Sequence, residues 1–231
     1  MQPGERMTGA ARTLRAWAGV HATRPALTLL AVTTALSLLC AHAMIDSVGF
    51  LLFETPVSLL LLLPVLAGIA AGIGSHNTAR VPLPEPARLT PARIAWLLTL
   101  TGLACLSVSV AQMAGPDLPW QPTVRNVLLH TALAITAARL LGPTLAWLPP
   151  VSLTLICMLF GYPPSEPGYY RWAMIMEETV TTSQWATTAT AFLVACVFYT
   201  AAPKLTGHIG RFTRPATPTH GMPIQQKHRL S

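Results

Sequence analysis

The residues that could do chemistry in this chain are few, and most lie beside or within long apolar runs. Glu177 and Glu178 form a carboxylate pair, an arrangement that can hold a metal or divide the roles of acid and base. Metal-dependent proteolysis inside a membrane would also need a basic partner after the pair and histidine ligands in later apolar runs. Residues 179–183 carry no base and 185–202 no histidine, so the pair reads as a solvated face. His42 and His130 lie in or near apolar runs and, with Arg125, are the candidates for a metal site or proton relay. Five residues separate Arg125 from His130, which does not put them on one helix face. Both histidines are expected toward the outer ends of their helices, where such groups hydrogen-bond a neighbouring helix or the interface. Cys40, Cys105, Cys157 and Cys196 all sit in apolar runs without CxxC spacing, so they read as small buried hydrophobes, not disulfide partners or zinc ligands. The chain has no GxxxxGK[ST], HExxH or GxSxG, so neither a phosphate loop nor a hydrolytic motif is present. No catalytic residue, metal ligand or cofactor is assigned, and an enzyme is not expected.

The elements that position these residues follow from composition. Of 231 residues, 52% are hydrophobic and only 10% charged, with mean hydropathy +0.50. A soluble domain carries about 25% charged residues, so an ordinary water-soluble globule is excluded. The net charge of +7 suits either nucleic acid or a membrane. The basic residues alternate with apolar runs, which selects the lipid bilayer as partner and excludes nucleic acid. About 20 apolar residues cross a bilayer. Runs of that order occur at about 26–44, 56–74, 94–113, 124–141, 144–161 and 185–202. Arg139, Gly142 and Pro143 separate the fourth from the fifth, because Gly and Pro end helices. The expected fold class is all-α: a polytopic membrane protein, a bundle of six transmembrane helices. A cytoplasmic segment 1–25 would precede the membrane domain 26–203, and a disordered basic tail 204–231 would follow.

Charge distribution tests this count. With the N-terminus in the cytoplasm, thirteen of the fifteen Lys and Arg residues face inward: those from Arg6 to Arg24, Arg80, Arg88 and Arg93, Arg139, and those from Lys204 onward. Only Arg125 and Arg171 fall outside, together with six of the eight acids. This is the positive-inside pattern, and it predicts a multi-pass plasma-membrane protein with both termini cytoplasmic. No cleaved signal is expected, since the first run is long and lacks a small-x-small site after it.

Several local features remain. Leu14, Trp17 and His21 recur at helical spacing beside Arg12 and Arg15, which suits either an amphipathic interfacial helix or a plain positive anchor. Four prolines stiffen the cytoplasmic segment 75–93, and a helix is expected from Leu89, with Thr90 as cap and Pro91 at its first position. The external segment 162–184 concentrates Tyr and Trp and reads as an interfacial or re-entrant element. Ala67 with Ala71 and Gly68 with Gly72 repeat at four-residue spacing, which permits close helix approach. Pro149 and Pro150 are expected to kink the fifth span. No Asp or Glu lies inside a span, which argues against a carrier driven by protons or sodium; any energy must come from elsewhere.

Six spans with both ends inside, a basic segment before the first, a sizeable cytoplasmic loop after the second and an aromatic external element before the sixth form a pattern. With the runs Val124-Arg125-Asn126-Val127-Leu128-Leu129, Ala138-Arg139-Leu140-Leu141-Gly142 and Leu145-Ala146-Trp147-Leu148-Pro149-Pro150, the chain resembles the permease subunit of type-2 ABC exporters. The type is one found among bacterial membrane proteins of high-GC actinobacteria. The resemblance covers most of the chain in architecture. It implies a non-catalytic permease working as a homodimer with a separate ATP-binding subunit, which moves a substrate across the plasma membrane. By position it assigns Arg80, Glu85, Arg88 and Arg93 as contacts to the ATPase. A second reading is a membrane anchor or immunity (self-resistance) protein that binds a partner without transporting anything.

Overall fold

Apolar runs of Ala, Leu, Ile and Val favour helix, with Pro64, Pro149 and Pro150 in the first turns of their helices, and the chain is mostly helical. The computed structural model describes residues 22–48, 51–76, 89–115, 118–163 and 168–201. The helices are α1 (Thr23–Leu39), α2 (Pro64–Gly74), α3 (Leu89–Ser109), α4 (Trp120–Leu140), α5 (Leu148–Phe160) and α6 (Thr182–Ala201). Short 3-10 turns precede α2 at Leu59–Leu61 and α5 at Pro143–Leu145, and extend α3 through Val110–Ala114. The expected N-terminal segment 1–21, the loop residues 77–88 and the tail 202–231 lie outside the described residues.

Consecutive helices run in opposite directions. At one end, the backbone N–H of Ala22 before α1 donates to the His76 carbonyl after α2 at 3.4 Å. There too the Trp96 indole of α3 donates to Gly74 O at 3.0 Å, and the Tyr199 hydroxyl of α6 donates to Ser75 O at 2.7 Å. At the other end, His42 after α1 donates to the Ala114 carbonyl after α3 at 3.1 Å, and Arg125 of α4 donates to Gln184 of α6 at 2.8 Å.

α4 is the centre. It packs on α2, α3 and α5, and Ala132 joins Phe192 and Ala195 of α6 in one cluster. The four-residue glycine repeat sets the closest of these contacts. A Cβ on Gly68 would stand 2.5 Å from the His130 Cβ, and one on Gly72 2.5 Å from the Ala134 Cβ, so only glycine lets α2 lie against α4.

Several local expectations are corrected. The second apolar run starts as strand, not helix: β1 (Met44–Val48) pairs antiparallel with β2 (Leu51–Ser58), Met44 opposite Ser58 and Val48 opposite Leu51. Pro56 disfavours helix in the residue before it, so the chain stays extended until Leu59. Pro149 and Pro150 open α5 instead of kinking it, because the first helical turn has no use for the N–H that proline lacks. His130 stands at the middle of α4, fully buried, not toward an outer end. α3 begins at Leu89, which places Thr90 and Pro91 inside its first turn and not at the cap and first position; α4 ends just before Gly142, as expected, and the φ of +96° there suits glycine.

Length and apolarity alone single out fewer crossings than six. Among the described residues, Pro91–Ala114 and Pro143–Phe160 are long and apolar enough to cross a membrane, with mean hydropathy 2.0 and 1.6. α1 and Leu59–Gly74 are apolar but shorter. α4 is diluted by Arg125, Asn126 and His130, and α6 by Thr182, Ser183, Gln184 and its later threonines.

An apolar core is accompanied by many outward-facing apolar side chains and a few buried polar ones. Large apolar side chains point outward: Leu106 is 66% exposed, Val197 66% and Phe160 65%. Arg125, Asn126, His130 and Thr131 are completely buried. Threonine hydroxyls on outer helix faces donate back to their own backbone, Thr28 to Arg24 O at 3.0 Å and Thr99 to Ala95 O at 2.8 Å.

Candidate functional site

The first turns of α4 carry the main polar constellation. Pro119 is extended (φ −66°, ψ 157°), and the Thr123 hydroxyl donates to Trp120 O at 2.6 Å, fixing the turn that presents Arg125 and Asn126 inward. Arg125 Nε donates to Asn126 Oδ1 at 3.0 Å. Its Nη1 donates to Gln184 Oε1 at 2.8 Å and to Thr179 O at 3.4 Å, and its Nη2 donates to Glu177 O at 3.0 Å. Asn126 Nδ2 donates to Ile175 O at 2.7 Å and to Leu61 O at 3.2 Å. Gln184 Nε2 in turn donates to the Glu177 carboxylate.

The acceptors explain the donors. Ile175 lies in the last turn of the 3-10 helix Arg171–Met176 and Glu177 is extended (φ −78°, ψ 131°), and the carbonyls of Ile175, Glu177 and Thr179 all accept from the Arg125 and Asn126 pair. A helix satisfies its own interior carbonyls, whereas the end of the 3-10 turn Arg171–Met176 and the irregular chain after it do not. A buried backbone carbonyl left unsatisfied costs about 1–3 kcal/mol, and the guanidinium with its neighbouring amide satisfies three of them together. The segment is thereby held on the bundle, with Ala173, Ile175 and Met176 in a core cluster with Leu61, Leu118 and Cys157. Tyr162 meets Tyr169 edge-on at 5.7 Å, and Tyr170 stacks on Trp172 at 6.1 Å.

Beside this network opens a cleft of about 710 Å³ lined by Arg171, Trp172, Met174, Glu177, Ser183, Gln184 and Thr187, among others. That volume lies within the range of small-molecule sites. Glu177 is half-buried and Glu178 exposed, so the carboxylate pair is split: one member joins the network and the other faces outward. His42 is exposed and shares a shallow hollow with Met44, Ser58 and Glu178. His130 has both ring nitrogens buried with no hydrogen-bond partner among the described residues. The two histidines therefore sit in different surroundings. No group of three or more His, Cys, Asp or Glu side chains among the described residues could hold a metal, and the four cysteines are free.

The opposite end of the bundle holds the one expected ATPase contact that the structure describes. Arg93 is half-buried near the start of α3, within electrostatic range of Arg139 and Tyr199. Arg139 lies over the Tyr199 ring at 4.5 Å. Tyr199, Trp96 and the Ser75 hydroxyl (to Gly72 O, 2.7 Å) serve carbonyls at the end of α2, groups that a helix terminus leaves unsatisfied. Arg80, Glu85 and Arg88 lie outside the described residues.

Sequence reasoning placed Arg125 outside the membrane as an exception to the charge pattern and missed its network. The signal available was the adjacent polar pair Arg125-Asn126 opening an apolar run. Its partners Gln184 and Glu177 are more than fifty residues away and carried no signal. Compared with family models, with curated proteins and with solved structures, the chain finds no match.

Proposed function

We propose that the chain is a six-span plasma-membrane protein with both termini cytoplasmic, acting as the permease-like subunit of an export system driven by a separate ATP-binding subunit. The observation that carries the membrane reading is the set of large apolar side chains facing outward, among them Leu106, Val197 and Phe160, while Arg125, Asn126 and His130 are buried. Lipid is the solvent in which that arrangement is favourable. The two long apolar segments are only 39% and 22% buried, unlike the core helix of a soluble protein. Their neighbour α2 is short but almost wholly buried, so it need not match the bilayer on its own. The alternating helix directions support an even number of crossings. They group Arg93 and Arg139 at one end and Glu177 and Glu178 at the other, in keeping with the positive-inside rule.

The export reading rests on the site at the basic end. A partner engaging 75–93 would pull on Ser75 and Arg93, and bonds from Ser75, Trp96 and Tyr199 join α2, α3 and α6 there. ATP binding by that partner would bias two arrangements of the bundle through its different affinity for each. Two copies with two ATPase subunits would form the assembly. The test has two parts. Cysteines at positions 85 and 166 should be labelled from opposite sides of intact cells. An ATP-binding subunit should co-purify with the wild type and be lost with the combined charge reversal of Arg80, Arg88 and Arg93. Labelling of both cysteines from one side would sink the topology. Retention of the subunit by the reversed variant would sink the assigned contact.

One observation favours the non-transporting reading: Arg125, Asn126 and His130 are sealed from the outside, as suits an anchor or immunity protein that presents a fixed surface to a partner. It predicts protection of cells without any ATP-binding subunit.

A further inference from the structure

The cleft beside the Arg125 network is more than a by-product of the docked segment, because its wall combines groups that seldom meet by chance. Arg171 supplies an exposed guanidinium. Glu177 supplies a half-buried carboxylate whose position is set by Gln184. Ser183 and Thr187 add hydroxyls, and Trp172 an aromatic face. Trp172 is 48% exposed and stacked on Tyr170, the amphipathic aromatic pairing favoured at headgroup depth. A cation and an anion in one wall match a ligand carrying both charges: phosphate for the guanidinium, which binds it through a planar fork, and ammonium for the carboxylate.

The surface beyond the cleft says what else the ligand carries. Thr187 lines the cleft, and Thr190, Val194 and Val197 follow it at three- and four-residue steps along α6, on one stripe. All three are exposed, and Val194 and Val197 offer apolar surface. A headgroup seated in the cleft would leave an acyl chain lying along this stripe, so a free polar solute would use only half of the surface provided.

We infer that this cleft binds the headgroup of a zwitterionic aminophospholipid such as phosphatidylethanolamine, its phosphate on Arg171, its ammonium on Glu177 and an acyl chain along α6. The inference rests on the membrane reading of the bundle. The lipid would brace the segment between α5 and α6 against α6 on the outer side. An anionic headgroup without an ammonium would satisfy Arg171 but leave Glu177 facing negative charge.

The experiment uses the full chain in detergent, titrated with short-chain phosphatidylethanolamine, short-chain phosphatidylglycerol or soluble O-phosphoethanolamine, and read by native mass spectrometry. Phosphatidylethanolamine should bind about tenfold more tightly than phosphatidylglycerol, the ordinary scale of one charge-assisted contact. Glu177→Gln should remove that preference by weakening the first lipid alone. Arg171→Ala should weaken both, and as an exposed residue it leaves the packed core intact. Equal binding of the two lipids, or a preference that survives both substitutions, overturns the site. Binding of O-phosphoethanolamine as tight as that of the lipid overturns the lipid assignment. Membranes washed at alkaline pH separate the two levels. A protein released by the wash defeats the membrane reading itself, whereas one retained without headgroup preference defeats only the cleft.

Discussion

Arg125 and Arg139 stand on the same helix, roughly 21 Å apart along its axis, and they solve different problems. Arg125 is fully buried, and its donors are aimed at Asn126, Gln184 and two backbone carbonyls. Arg139 is only half-buried and rests its guanidinium on the Tyr199 ring. The first holds a stretch of irregular backbone that has no ladder of its own. The second closes a junction whose carbonyls are already served by Tyr199, Trp96 and Ser75. The difference teaches that a charge within a bundle is costly unless the neighbouring backbone needs donors. Where the helices end in regular turns, as near Ser75, neutral hydroxyl and indole groups suffice and the arginine can stay at the rim.

The largest test of this contrast is Arg125→Ala. It leaves the carbonyls of Glu177 and Thr179 without donors and Gln184 Oε1 with only the Thr181 N–H, and the expected loss is about 3–5 kcal/mol, on the scale of removing one partner from a buried charged network. Thermal unfolding in detergent should show it, and protease should cut within 171–181 before the rest of the bundle. Arg139→Ala should cost far less, about 0.5–2 kcal/mol for a cation over an aromatic ring. If the two substitutions are equally destabilising, the contrast between the ends is lost.

Gly68→Ala comes next. Its Cβ would press on the His130 Cβ at the centre of the bundle, costing about 1–3 kcal/mol as overpacking. Gly102→Ala, in α3 with open space around it, should be neutral or stabilising by up to about 1 kcal/mol. A comparable loss in both would mean that helix propensity, not close approach to α4, governs these glycines. A small loss belongs to Tyr199→Phe, which keeps the ring under Arg139 and removes the hydroxyl with its bond to Ser75 O and its contact to Arg139. About 1 kcal/mol is expected, with Tm the measurement. A double variant with Arg139→Ala should then show whether ring and hydroxyl act independently.

Much of the helical scaffold was legible before the tertiary contacts were known. Apolar stretches marked the helices, and Gly142 with Pro143 marked the break between α4 and α5. The repeat at Gly68 and Gly72 announced a close contact without naming its partner. The hairpin Met44–Val48 with Leu51–Ser58 was not legible, because an apolar run of leucines beside Pro56 reads as a span until strand pairing is known. The polar site was legible only in part. Arg125 and Asn126 could be seen as neighbours opening a run, but their acceptors are main-chain carbonyls, and every residue has one.

The sequence by itself determined the apolar character and the helical content of this protein: an apolar half and a skewed charge pattern are properties of composition and order, independent of contacts. Tertiary structure alone decided that α4 lies at the centre, that His130 is sealed inside, and that Arg125 clamps the chain at Ile175, Glu177 and Thr179. Hydrophobicity acts on each segment separately and can be summed along the chain. A buried hydrogen bond exists only when two distant groups arrive with matching geometry, and no local pattern records that meeting.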